Sequence, residues 1–111
     1  MKKLVIVRKK EWKDGFYAMF KAEKNSVKII KSMFENFGSQ YFVEEKRNLS
    51  DYSQWKDLWI PYSDKDEKID LDLVFGDKYI HLIVRKYKDK VFIEKIMKKY
   101  CKKAKRTYTL Y

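Results

Sequence analysis

"KIMKKYCKKAKRTY", residues 95 to 108, sets seven cations among fourteen residues, separated only by Ile, Met, Tyr, Cys, Ala and Thr. Ammonium groups at that density attract anions: phosphates, acidic surfaces or anionic lipid. Lys95, Lys98, Lys99, Lys102, Lys103, Lys105 and Arg106 form one candidate anion-binding set, continued upstream by Arg85, Lys86, Tyr87 and Lys88. In "YIHLIVRKYK" the alternation places Tyr79, His81, Arg85 and Tyr87 on one side of a strand. Rings interleaved with cations suit single-stranded nucleic acid, since a base stacks on the ring while the cation meets phosphate. Tyr79, His81 and Tyr87 are therefore candidate stacking residues. The plainer alternatives are a lysine-coated surface helix and a sheet face packed on another element, which Val74 and Ile83 on the same side would suit.

The type of cation bears on mechanism. Only Arg8, Arg47, Arg85 and Arg106 carry the guanidinium fork that reads guanine edges, whereas lysine is a point charge with no fixed geometry. Contact with nucleic acid, DNA or RNA, is thus expected to fall mainly on the backbone, with weak sequence preference and steep salt dependence. An AT-rich codon bias accounts for lysine over arginine, but not for the excess of cations over Asp and Glu.

Catalytic constellations are sparse. His81 is the only histidine and Cys101 the only cysteine, which excludes paired-histidine metal sites and a disulfide framework. Cys101 falls on or beside an apolar stripe, where a thiol is usually a small hydrophobe. In "SDKDEKIDLD", Asp64 and Asp66 begin a calcium-loop pattern, but Lys68 stands where the third ligand belongs and no glycine follows. A two-strand nuclease motif lacks its second carboxylate, because the partner strand reads "HLIVRK". Asp72 opposite His81 could form an acid–base pair, although such pairs are more often surface ion pairs. The expectation is no enzyme, with hydrolase the exception to test, no metal and no cofactor.

Several elements must position these residues. "KIDLDLVFGDKYIHLIVRKYKD" is two alternating runs around Gly76-Asp77, which predicts a hairpin with a two-residue loop. Its register would pair Leu73 with Ile80 and Leu71 with Leu82, giving one apolar face and one polar face. Asp89 then caps a predicted helix from Lys90 to Lys103, with Ile93, Ile96, Met97, Tyr100 and Ala104 as its buried stripe. "RTYTLY" reads as a final strand. Near the start, "LVIVRKKEW" and "FYAMFKAE" predict a second hairpin closed by Lys13-Asp14-Gly15, with Gly15 in a left-handed conformation; the rival is a helix from Glu11 through Phe37. A helix over Val27–Phe37 would be capped by Ser26 and ended by Gly38. "QYFVEEKR" and "QWKDLWIPYS" read as further strands, the latter ended by Pro61. Trp55 and Trp59 there are either core residues or exposed anchors.

The resulting expectation is one α+β domain over residues 1–111, an antiparallel sheet of hairpins backed by two helices in the order ββα-ββ-ββα-β. One-sided sheets of this kind occur among single-stranded nucleic-acid binders, which is a likeness of architecture only. The formal charge of +11 is uneven: residues 1–50 carry 12 Lys/Arg against 6 Asp/Glu, residues 51–80 carry 4 against 8, and residues 81–111 carry 11 against 2. No apolar run reaches the roughly 20 residues of a membrane helix, and the opening "MKKLVIVRKKEW" is too short in its apolar part for a signal peptide. A cytoplasmic, intracellular protein is expected. The leading functional expectation is a small basic binding module for nucleic-acid backbone. The alternative is a protein–protein inhibitor or accessory factor of a virus or mobile element, docking on an acidic surface of a host protein.

Overall fold

Ile69, Leu71, Leu73 and Phe75 alternate with Asp70, Asp72 and Val74, and that period-two pattern builds strand β4 (Ile69–Phe75) with its four apolar side chains buried. Its partner is β5 (Tyr79–Tyr87), which buries Ile80, Leu82 and Val84 on the same face. In a computed structural model that describes residues 2–39, 42, 45–64 and 69–104, these strands lie within a six-stranded sheet ordered β3-β4-β5-β2-β1-β6. The flanking strands are β1 (Leu4–Trp12), β2 (Gly15–Lys21), β3 (Trp59–Ser63) and β6 (Cys101–Lys103). Helices α1 (Ser26–Asn36) and α2 (Lys90–Tyr100) place Val27, Ile30, Met33, Phe34, Ile93, Ile96, Met97 and Tyr100 in one core with the inner face of the sheet. The fold is α+β, as expected, with both helices on one side.

Five pairings run antiparallel or parallel as the chain demands: β1–β2, β2–β5, β3–β4 and β4–β5 are antiparallel, and β6 lies parallel to β1 through Leu4↔Cys101 and Val5↔Lys102. The sheet is therefore mixed rather than wholly antiparallel. A parallel partner arises because α2 carries the chain back over the core before β6 begins, the crossover that parallel pairing requires.

The β4–β5 hairpin differs from expectation by two residues. Phe75 pairs with Ile80 and Leu73 with Leu82, leaving a four-residue loop, Gly76–Tyr79, closed by the Gly76 N–H donating to Tyr79 O at 2.9 Å. A shift of two preserves both faces, so the apolar set is the one expected. It does move Asp72 from His81 to Ile83. A bulge follows: Leu71 opposes Val84 but Asp70 opposes Lys86, so Arg85 is an inserted residue. Beyond it the parity inverts. Tyr87 faces inward opposite Ile69, its ring 6.2 Å from that of Phe16.

The first third forms the hairpin rather than the long helix. Its loop is the pair Lys13-Asp14, with Trp12 opposite Gly15. Gly15 is required for space and not for a left-handed backbone: a Cβ there would stand 1.9 Å from Val84 O and 2.9 Å from Arg85 O. Gly38 does adopt φ +87° at the end of α1. The Gly38 N–H donates to Glu35 O and the Ser39 N–H to Phe34 O, the paired bonds that satisfy a helix C-terminus. Ser26 does not cap α1 with its side chain; Asn25 holds the cap position, and the Ser26 hydroxyl accepts from Glu23 N–H and donates to Lys21 O.

Pro61 lies within β3 rather than ending it, which an edge strand tolerates because one side of its backbone has no partner. Half of the strand expected over residues 40–47 lies outside the described residues; of the rest, Phe42 is helical and buried against Phe34 and Trp55, and residues 45–47 are not in a strand. "RTYTLY" also lies outside them. No helix among the described residues is long and apolar enough to cross a membrane.

Candidate nucleic-acid interface

Helix α2 begins where the Asp89 carboxylate accepts the Phe92 N–H at 3.0 Å, the expected cap. It stops at Tyr100, three residues early. Cys101 is extended (φ −128°, ψ 152°) because its backbone is taken up by Leu4 of β1. Lys102 and Lys103 are thus strand residues at the sheet edge and not part of the helical surface. Two of the like-charged pairs implied by a longer helix, Lys98/Lys102 and Lys99/Lys103, do not form, and only Lys95/Lys99 keeps that spacing.

What neutralises these cations decides what they can do. Glu94 points back to Lys90, at 3.8 Å, rather than forward to Lys98. Lys99 has its ammonium 5.3 Å from the centre of the Tyr100 ring, and Lys98 and Lys99 sit in the last turn, where the helix dipole favours positive charge. Lys3 donates to Lys98 O from the neighbouring strand end, adding another cation to the region. Among the described residues, no ion pair within 4.0 Å joins Lys95, Lys98, Lys99, Lys102 or Lys103 to a carboxylate. Their side chains are exposed. A groove of about 460 Å³ runs beside them, lined by Asn36, Phe92, Lys95, Ile96, Lys98 and Lys99.

Arg85 behaves in the opposite way. Its guanidinium donates to Asp70 Oδ1 at 2.6 Å and to Asp70 Oδ2 at 3.2 Å, and its third contact is Asp72 Oδ2. Hydrogen bonding to Arg85 pulls the Asp70 carboxyl below its ordinary range, and the two carboxylates raise the Arg85 pKa further. Asp70 and Asp72 therefore neutralise Arg85, whereas Lys95, Lys98, Lys99, Lys102 and Lys103 meet no carboxylate among the described residues. Lys86 lies opposite Asp70 in the ladder and is exposed, as is Lys88. Lys105 and Arg106 lie outside the described residues.

Tyr79 and His81 do share the outer face of the sheet, the face turned away from α1 and α2. Tyr87 does not join them, since the bulge at Arg85 turns it into the core. The outer face holds residues that sequence reasoning did not select. One row across it reads Trp59, Val74, His81, Met19, Arg8, each registered with the next. The adjacent row reads Pro61, Asp72, Ile83, Tyr17, Lys10. Tyr17 and His81 form the centre: the phenol oxygen is 2.6 Å from His81 Nδ1, the ring centres are 5.9 Å apart, and the planes differ by 16°. Burial lowers the His81 pKa and raises that of Tyr17, with the Arg8 charge pulling Tyr17 slightly the other way. Both effects favour the neutral forms of the two rings. Trp59 is 65 % exposed. Alternation in "WIPYS" and "GFYAMFK" could have found Trp59 and Tyr17, once each segment was fixed as a strand with Ile60 or Phe16 inward.

Two of the groups weighed for covalent chemistry, Asp72 and Cys101, are placed as follows. Asp72 is 9 % exposed and held by Arg85, not by His81. Burial pushes the Cys101 thiol up to about 12, far from the range of a reactive thiolate. Among the described residues no group of three His, Cys, Asp or Glu is placed to hold a metal ion. No family model, no curated protein and no solved structure matches the chain.

Proposed function

We propose that the protein is a small, basic, non-enzymatic binding module that contacts the backbone of nucleic acid with weak sequence preference. The observation that carries this reading is the contrast between Arg85, neutralised by Asp70 and Asp72, and Lys95, Lys98, Lys99, Lys102 and Lys103, which have no carboxylate within ion-pairing distance among the described residues. A cluster of uncompensated ammonium groups repels itself, and phosphates relieve that repulsion while releasing counterions. Lysine supplies charge without a fixed fork, so the contact selects polyanions and not base identity. The test is fluorescence anisotropy with labelled single-stranded and duplex oligonucleotides across a salt series. Binding that weakens steeply with salt supports the reading; absence of binding at about 50 mM salt, where phosphate contacts are strong, overturns it.

A second reading is favoured by Val91 and Phe92, which α2 leaves 75 % and 45 % exposed beside the same lysines. Apolar anchors ringed by cations suit an acidic protein surface, as an inhibitor or accessory factor of a virus or mobile element would require. Retention of a stoichiometric protein partner from nuclease-treated lysate, lost on Phe92→Ser, would favour it over nucleic acid.

A further inference from the structure

We propose that the outer face of the sheet is a base-stacking platform for single-stranded nucleic acid, with Trp59 and Tyr79 as its free rings and the Tyr17–His81 pair as its rigid centre. This rests on the nucleic-acid reading above and deepens it, because lysines on α2 and β6 alone would accept duplex and single strand alike.

The platform follows from where the helices are not. Both pack on the inner face with the core, so the row Trp59–Val74–His81–Met19–Arg8 lies on the opposite side, exposed at Trp59 and Arg8, half-buried at Val74 and His81, and buried at Met19. An indole 65 % exposed on a strand whose neighbour Ile60 is buried is a large apolar ring left in water, and it continues into Val74, Pro61 and Ile83. Patches of that kind mark binding surfaces. Adjacent strands are about 4.8 Å apart, which puts Trp59 and His81, two strands from each other, about 10 Å apart. That spacing suits bases splayed from a flexible strand, about two or three of them on one sheet.

Charge gives the platform its partner. Arg8 and Lys10 end the two rows on β1, Lys21 stands opposite Tyr79, and Lys102 lies beyond Val5 at the β6 edge. The acids of this face, Asp70 and Asp72, are occupied by Arg85. Rings therefore lie toward β3–β5 and cations toward β1 and β6, an arrangement that seats bases on the rings and leads the phosphates to Lys10 and Lys102. The Tyr17–His81 hydrogen bond holds two nearly parallel, half-buried rings against each other, so the centre of the platform is rigid. Duplex bases are already paired and stacked and offer no free face to such a surface.

The experiment uses the full chain with Trp12→Phe, leaving buried Trp55 and exposed Trp59 as the emitters. An oligothymidylate of about 12 residues, within the ~4–16-nucleotide range of such sites, and a duplex of the same length are titrated by anisotropy and by Trp emission. Quenching by the single strand is expected, together with a roughly tenfold loss of single-strand affinity in Trp59→Ala and unchanged duplex affinity. Circular dichroism of Trp59→Ala should match the parent, because the indole is outside the core. Single-strand binding with silent emission and an affinity unaltered by Trp59→Ala overturns the platform and leaves the backbone-binding reading standing. Failure of both oligonucleotides to bind overturns both.

Discussion

The Tyr17 hydroxyl and His81 Nδ1 lie 2.6 Å apart across strands β2 and β5, a hydrogen bond whose donor follows the tautomer of an imidazole that one further proton would charge. Burial holds the His81 pKa below its ordinary value, so the unfolded chain takes up this proton first as pH falls. The contribution of the pair to stability is complete above about pH 6.5 and declines as pH falls from there through the folded pKa. Urea denaturation at about pH 7.5 and about pH 5 should show a lower midpoint at the acidic value. His81→Phe should flatten that difference. Glu11, Asp51, Asp70 and Asp77, whose carboxyls are all pulled below the ordinary range, titrate under this window and do not mask it. Equal pH sensitivity in the parent and His81→Phe would refute the assignment.

Arg85 separates structural charge from binding charge. Replacing it with Gln strands Asp72, a carboxylate 9 % exposed whose Oδ1 already has no hydrogen-bond partner. The expected cost is about 2 kcal/mol, the desolvation penalty of a buried acceptor left unsatisfied. Adding Asp72→Asn should recover part of it, a coupling that a double-mutant cycle measures. Oligonucleotide affinity and its salt dependence should be unchanged in Arg85→Gln if the protein remains folded, since the guanidinium is already neutralised. A reduced salt slope would place Arg85 in the interface instead.

The sequence carried the faces of this sheet better than its registers. Ile69, Leu71, Leu73, Ile80, Leu82 and Val84 are buried as their alternation requires, because a hairpin shifted by two residues leaves every side chain on its original side. What alternation does not encode is a bulge. The inserted Arg85 inverts the parity of Tyr87, and only the geometry of the pair Asp70–Arg85 with its neighbours reveals it. Helix α2 was legible at Asp89, whose side chain makes a local bond, and not at its other end. There Cys101 leaves the helix for a partner, Leu4, ninety-seven residues earlier, so a non-local contact overrides a continuous helical pattern. Two candidate lysines changed element for that reason. The outer-face positions of Tyr17 and Trp59 follow from alternation in their own strands, but their neighbours Ile83 and Val74 appear only when strand order is known.

Gly15 and Gly38 should respond differently to alanine. At Gly15 the new Cβ would collide with two backbone carbonyls of β5, Val84 O at 1.9 Å and Arg85 O at 2.9 Å. Neither can yield without moving the strand that carries His81, so Gly15→Ala is expected to cost about 3 kcal/mol or more. At Gly38 the nearest atom to a new Cβ is the Tyr62 hydroxyl at 3.9 Å, so only the left-handed backbone opposes substitution. Gly38→Ala should cost about 1 kcal/mol. Urea denaturation of the two variants orders them; a Gly38→Ala penalty equal to that of Gly15→Ala would contradict the close approach of β2 to β5.

Substituting Gln for Lys98, Lys99, Lys102 and Lys103 together tests the α2–β6 cluster directly. Stability should change by less than about 1 kcal/mol. Losing Lys98 and Lys99 removes a favourable interaction with the helix dipole, while losing Lys99 also removes its repulsion of Lys95, and these terms oppose each other. Binding should change far more. Each phosphate contact contributes about 0.7 to the slope of log affinity against log salt for a single strand and about 0.9 for duplex. Loss of four contacts should flatten the slope by about 3 on single strands and weaken binding most at low salt. Lys3, which hydrogen-bonds to Lys98 O and not to its side chain, keeps its position in the variant, so a residual slope is expected. An unaltered slope in a folded quadruple variant would move the phosphate contacts off α2 and β6, toward Arg8, Lys10 and Lys21 on the outer face.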